Sequence, residues 1–271
     1  MAITVVLLSL SALAADKCQA PATPEREAET AKVRVGIDVL EAQGFAPLRG
    51  KRVGLITNQT GRTSDGRRTV DVLAAAEGVK LVALFSPEHG WEGQVAEGRV
   101  DHVTDTKTGL RVYSLYGSTT SRRPTEEMLK GIDVLVFDIQ DAGVRYYTYG
   151  TTMAYAMEEA ARRDIEFVVL DRPNPLNGVA VNGPMLDPDP SRRISFEGYF
   201  PLPLRHGMTL GELAKLYNAE KPIGVKLTVV PMQGWRREMW FDETVLEWVN
   251  PSPNLRSLTG NTFYPAIELL R

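Results

Sequence analysis

The sequence predicts a doubly wound α/β fold, built on a mostly parallel sheet. Three observations carry that prediction. Short, near-continuous apolar runs recur along the chain, and such runs mark strands buried on both faces. Segments of helical spacing alternate with them, which is the pattern of successive βαβ units. Polar residues cluster directly after each run, where a parallel sheet presents its ligand-binding loops. Composition agrees. Of 271 residues, 43% are hydrophobic and 24% charged, ordinary for a globular protein and too apolar for a disordered one.

Residues 1–15 read as a signal peptide. The apolar run from Ile3 to Ala15 falls short of the roughly 20 residues that span a bilayer, and Ala12-Leu13-Ala14 offers an A-x-A cleavage site. No stable membrane insertion is expected, and export to the periplasm or the medium is. Residues 16–32, rich in Pro, Glu, Ala and Thr, read as a solvated linker. It carries Cys18, and a single cysteine excludes a disulfide framework or a Cys-rich metal site.

The first domain, which holds this α/β pattern, is expected over residues 33–185. Its strands are Arg52–Thr57, Lys80–Phe85, Ile132–Phe137 and Ile165–Leu170. A helix from Val70 to Glu77 stops at Gly78, a plausible left-handed cap, and another covers about Thr151–Arg163. Residues 186–271 are expected to begin a smaller α+β domain. Arg172 to Pro203 is Pro-, Asn- and Gly-rich and reads as an ordered excursion. Thr209 and Glu212 have capping-box spacing, opening a helix to about Asn218, and Val225–Val230 reads as a further strand. Phe263–Arg271 then looks like a helix with Pro265 in its first turn and no stop signal. The second domain is therefore expected to be incomplete.

Charge and motif exclude several functions. There are 31 Lys+Arg against 34 Asp+Glu, a net charge of −3. That leaves no cationic excess to bind nucleic acid through its phosphates. Walker A, G-x-S-x-G and HExxH motifs are absent. No cofactor and no metal are expected; a metal-dependent hydrolase using His89, His206 and the aspartates lacks ligand-like spacing.

Four polar clusters follow the apolar runs: Asn58-Gln59-Thr60-Gly61, Glu88-His89-Gly90-Trp91-Glu92, Asp138-Ile-Gln140-Asp141 with Arg145, and Asp171-Arg172-Pro173-Asn174-Pro175. If the strands neighbour one another, these clusters converge on one crevice. Glycoside cleavage needs a proton donor at the leaving oxygen and a second carboxylate as base or nucleophile. Glu88 is the candidate acid, with Glu92 or Asp138 as its partner. A carboxyl against a tryptophan face loses water and holds its proton more readily. The plainer alternative has Glu88 capping a turn and Glu92 solvated. Tyr146, Tyr147 and Tyr149 offer flat faces for a pyranose, unless they are buried against the next helix. Asn58, Gln59, His89, Gln140, Asp141, Arg145, Tyr147, Asp171, Arg172, Asn174 and Arg205 are the candidate binding residues. Structural Asp–Arg pairs compete with that role.

Several of these stretches carry a resemblance. Gly54-Leu-Ile-Thr-Asn-Gln-Thr-Gly61, Phe85-Ser-Pro-Glu-His-Gly-Trp91, Asp138-Ile-Gln-Asp-Ala-Gly-Val-Arg-Tyr146 and Leu170-Asp-Arg-Pro-Asn-Pro-Leu-Asn-Gly178 resemble the NamZ-type exo-β-N-acetylmuramidases. So do Pro203-Leu-Arg-His-Gly-Met-Thr-Leu-Gly-Glu212, Asn250-Pro-Ser-Pro-Asn254 and Phe263-Tyr264-Pro265. The resemblance implies release of terminal, non-reducing N-acetylmuramic acid from peptidoglycan-derived muropeptides or disaccharides. It also implies a site in a cleft between a Rossmann-like domain and a smaller one. Muramic acid carries a lactyl carboxylate, which Arg145, Arg172 or Arg205 would meet. A non-catalytic muropeptide-binding protein using the same cleft is the rival reading.

Overall fold

The computed structural model describes residues 32–117, 122–192 and 195–267. The expected signal peptide and Cys18 lie outside the described residues. The chain enters through helix α1 (Gly36–Ala42), then runs β1 (Arg52–Thr57), α2 (Thr69–Ala75) and β2 (Lys80–Ser86). Two short strands follow, β3 (Val103–Thr104) and β4 (Arg111–Ser114), and then α3 (Glu126–Leu129), β5 (Val134–Asp138), α4 (Tyr149–Ala161) and β6 (Glu166–Leu170). The last elements are the hairpin strands β7 (Asn182–Met185) and β8 (Pro203–Arg205), helix α5 (Leu210–Glu220), strand β9 (Leu227–Val230) and helix α6 (Leu258–Ile267).

Seven strands form one sheet in the order β3-β4-β2-β1-β5-β6-β9. All neighbouring pairs are parallel except β3 with β4. The chain winds outward from β1 through β2 to β4, then returns to β5 and winds the other way. The switch point lies between β1 and β5, and open α/β sheets bind their ligands above such a point.

Alternation along the strands builds two cores, because successive side chains leave a strand on opposite faces. Leu135 and Phe137 of β5 face α3, α4 and α5 together with Phe167 and Val169 of β6. Val134, Val136, Val168 and Leu170 face α1 and α2. Gly36 permits the close seating of α1. A Cβ there would lie 2.4 Å from the Asp171 backbone nitrogen, and its own N–H donates to the Asp171 carbonyl at 2.9 Å.

The structure moves some expected boundaries. Strand β9 pairs with β6, and α5 packs on the same face as α4. Helix α6 begins at Leu258, ahead of the expected Phe263, and Pro265 lies inside it. Strands β3 and β4 and helices α1 and α3 had no periodic signal, being too short to show one. The excursion after β6 holds the β7–β8 hairpin. Among the described residues, no helix is long and apolar enough to cross a membrane.

Candidate active site

Glu88 follows β2 after a single proline, half-buried at the carboxyl edge of the sheet. Its Oε2 accepts a hydrogen bond from Thr148 Oγ1 at 2.6 Å. Tyr116 lies near the same carboxylate: burial and the nearby Glu88 charge push its phenol up to about 12. Thr148 is the N-cap residue of α4, a place where threonine ordinarily accepts a bond from a backbone N–H of the first turn. Here its side chain makes no cap bond and turns outward to Glu88. The carboxylate thus sits at the positive end of a 13-residue helix.

The loop that aims Glu88 is braced rather than free. His89 adopts φ 69°, a left-handed conformation uncommon for a residue with a side chain. Its Nδ1–H donates to the Val95 carbonyl at 2.8 Å, and the Val95 N–H returns a bond to the His89 carbonyl at 3.2 Å. His89 therefore holds the turn, with its ring largely buried.

Behind Glu88 stands a wall of tyrosines. Tyr149 is fully buried; its hydroxyl donates to the Pro251 carbonyl at 2.5 Å and accepts from Asn58 Nδ2 at 3.0 Å. Tyr147 meets it edge-on at 4.8 Å between ring centroids. Burial raises the Tyr149 phenol, and the charges of both Glu88 and Asp141 add to the rise. Two carboxyls therefore flank one tyrosine. Asp141 Oδ2 accepts the Gly143 N–H at 2.8 Å, but burial dominates and pushes its carboxyl up to about 7.

The other expected partners of Glu88 lie elsewhere. Trp91 packs against the α1–α2 core, while Glu88 turns toward α4 on the opposite face. Glu92 is exposed and borders a small hollow with Trp91, Arg62 and Arg68. The Trp91 ring therefore does not desolvate Glu88, and the structure does not bring Glu88 and Glu92 together. Asp138 is wholly buried. Arg172 Nε and Nη2 reach its two oxygens at 2.6 and 3.0 Å, and the Thr69 hydroxyl donates to it as well. That is the structural Asp–Arg pair rather than an open carboxylate.

Most expected binding residues are engaged within the fold. Asn58 Oδ1 accepts from the Thr60 N–H and hydroxyl, tightening the β1 turn. Gln59 Nε2 donates to the Asn250 carbonyl at 2.8 Å. Gln140 Nε2 bridges the Asp141 and Pro173 carbonyls, and both border the β5 and β6 loops. Asp171 accepts from Thr209 Oγ1 and the Gly211 N–H, and burial pushes it up to about 6. Asn174 joins Met208 to the Leu176 N–H. Arg145 donates to the carbonyls of Pro184 and Leu202, and Arg205 to that of Leu176. Burial lowers both guanidiniums from their ordinary value. Tyr116 and the hydroxyl of Thr148 were missed. Tyr116 lies outside every motif, and a helix-capping threonine ordinarily signals only a helix start.

Among the described residues, no group of three His, Cys, Asp or Glu side chains could hold a metal ion. What the geometry offers is a carboxylate held by one hydroxyl donor at a helix N-terminus, backed by aromatic rings and a second, desolvated carboxyl. That set suits proton transfer to a leaving oxygen.

Comparison with known proteins gives this geometry a family. The chain is 49% identical over 255 residues to the peptidoglycan beta-N-acetylmuramidase NamZ of Bacillus subtilis (strain 168), covering 93% of this chain and 60% of that protein. A DUF1343-family protein of Bacteroides fragilis NCTC 9343 superposes with a TM-score of 0.81 at 46% identity, covering 88% of this chain and 60% of the other. A second from the same organism gives a TM-score of 0.71 at 35% identity, with coverage of 86% and 60%. The chain thus spans 60% of the length of the curated relative. Residues 53–259 match the family model described as exo-beta-N-acetylmuramidase NamZ, N-terminal, and the chain belongs to that family.

Proposed function

We propose that this chain carries the acid of an exo-β-N-acetylmuramidase, a glycoside hydrolase that releases terminal non-reducing N-acetylmuramic acid from peptidoglycan fragments. The single observation behind the reading is the Glu88–Thr148 hydrogen bond at 2.6 Å. A helix-capping hydroxyl has been turned away from its helix to hold one carboxyl at the edge of the sheet. A local stability rule broken at a strand end is what a functional site leaves behind.

In this mechanism Glu88 gives its proton to the glycosidic oxygen as the bond to the anomeric carbon breaks. The resulting carboxylate is stabilised by the Thr148 hydroxyl and by the N-terminal end of α4. Asp141 is the second carboxyl. Its rise to about 7 lets it take the proton of the water whose oxygen bonds to the anomeric carbon as the glycosidic bond breaks. The pairing of Asp138 with Arg172 withdraws that residue from chemistry. Tyr147 and Tyr149 are buried in the core and back the Glu88–Thr148 pair from within, so neither ring faces a sugar. The substrate lies outside the cytoplasmic membrane, so the reading places the protein in the periplasm or the medium. Fractionation tests this, with loss of the exported pool expected when residues 1–15 are deleted.

The chemical role is tested on a chromogenic N-acetylmuramide. Removing a general acid lowers turnover by about 10²–10⁴. Glu88→Gln is expected to do so with little change in KM. Turnover at the wild-type rate would withdraw the assignment.

A further inference from the structure

N-acetylmuramic acid differs from an uncharged N-acetylhexosamine by the lactyl ether on O3, whose carboxylate is ionised at neutral pH. Recognising it calls for a cation that is held in place yet not already neutralised. Arg145 and Arg205 donate to backbone carbonyls, and Arg172 is paired with Asp138. Of the three, only Arg172 is neutralised by a carboxylate; carbonyl bonds leave the charge of Arg145 and Arg205 intact.

Arg122 is differently placed. Its guanidinium carbon lies 4.6 Å from the Tyr116 ring centroid and 4.5 Å from that of Phe196, and those two rings meet edge-on at 6.0 Å. Tyr116 is the residue whose phenol feels the Glu88 charge. Among the described residues, no carboxylate forms an ion pair with Arg122. Glu197 acts on the Tyr116 phenol through its charge without bonding to the guanidinium. Neighbouring Arg123 shows the contrast, lying over Tyr155 at 3.7 Å while pairing with Glu158 at 2.6 Å. Aromatic faces fix a guanidinium without consuming its charge, and they leave its N–H edge open to a ligand.

We propose that Arg122 binds the lactyl carboxylate of the substrate and so sets the preference for muramic acid over uncharged hexosamines. The proposal rests on the muramidase reading of Glu88. Geometry links the two residues. O3 stands two ring carbons from the anomeric centre, so the carboxylate lies about one sugar width from the bond that breaks. One tyrosine ring separates Arg122 from Glu88, a comparable span. The backbone of Arg122 is left-handed, with φ 58°. For a long side chain that is an uncommon conformation, and it orients the residue on its aromatic seat.

The test measures binding of N-acetylmuramic acid and of its lactyl methyl ester by calorimetry, in wild type, Arg122→Met and Arg122→Lys. Turnover of a chromogenic N-acetylmuramide is followed alongside. A charged hydrogen bond is worth enough that the wild type should prefer the acid by on the order of tenfold to a hundredfold. Arg122→Met should erase that preference, and Arg122→Lys, which keeps a charge but loses the planar fork, should restore part of it. Equal weakening of acid and ester by Arg122→Met, or a wild type indifferent to esterification, overturns the proposal. Acid preference that depends on Arg122 without any turnover would instead sink the muramidase reading and leave the carboxylate subsite standing.

Discussion

Asp138 and Asp141 stand three positions apart, yet burial treats them in opposite ways. Asp138 has a guanidinium on both oxygens, so removing its charge strands Arg172 inside the protein. Breaking a buried pair from one side costs about 3–5 kcal/mol. Asp138→Asn is therefore expected to lower unfolding stability by that amount in denaturant titration. Unchanged stability with lost turnover would return Asp138 to the chemistry. Asp141 has only backbone donors, and burial lifts it to about 7. Between about pH 4, the ordinary carboxyl value, and pH 7, the folded protein holds that proton and the unfolded chain does not. The stabilisation from Asp141 is thus complete below the window and lost as pH rises through it. Asp171, lifted to about 6, follows the same sign. Buried His206, lowered to about 4, opposes both, losing stabilisation as pH falls from its ordinary value near 6.5 toward 4. The difference in Tm between Asp141→Asn and wild type isolates one group. It should grow in favour of the variant from about pH 4 to 7 and then level off; a difference independent of pH would show that Asp141 does not titrate there.

At the level of elements, two helix starts use the same residue type differently. Thr209 accepts the Glu212 N–H at 3.2 Å while the Glu212 carboxylate accepts the Thr209 N–H at 3.0 Å, a reciprocal cap visible in the spacing of the two residues. Thr148 makes no such bond. Thr209→Ala should then cost about 1–2 kcal/mol of stability, within the range for lost caps. Thr148→Ala should cost little stability but lower kcat roughly tenfold, the scale of one charge-assisted hydrogen bond. Thermal melts and steady-state kinetics on both variants separate the cases. A Thr148→Ala protein that melts early and turns over normally would make that hydroxyl structural. The contrast also explains what was legible. Apolar runs such as Val134–Phe137 declare themselves because strands buried on both faces must be apolar throughout. The convergence of Glu88 with Thr148 and Tyr116 depends on how three distant loops fold over the sheet edge, and no local spacing encodes it. Trp91 misled for the same reason: adjacent in sequence to the Glu88 turn, it faces the other core.

For the whole molecule, the order of strands decides where chemistry collects. The reversal between β1 and β5 leaves the carboxyl edge open there, and Glu88 and Asp141 approach it from β2 and β5, on either side of β1 in the sheet. Arg172 and Asp171 contribute from β6 by fixing loops rather than by meeting a ligand. The polar clusters stand at the strand ends, where most of their members hold the platform and few are left to face a substrate. The most direct test of the central claim is release of N-acetylmuramic acid from a defined muropeptide by wild type and Glu88→Gln, with binding measured on the same samples. Wild type should liberate the terminal sugar, while Glu88→Gln should bind the fragment and release about a hundredfold less or lower. Binding by both proteins with release by neither would contradict it, leaving a carbohydrate-binding module in place of an enzyme.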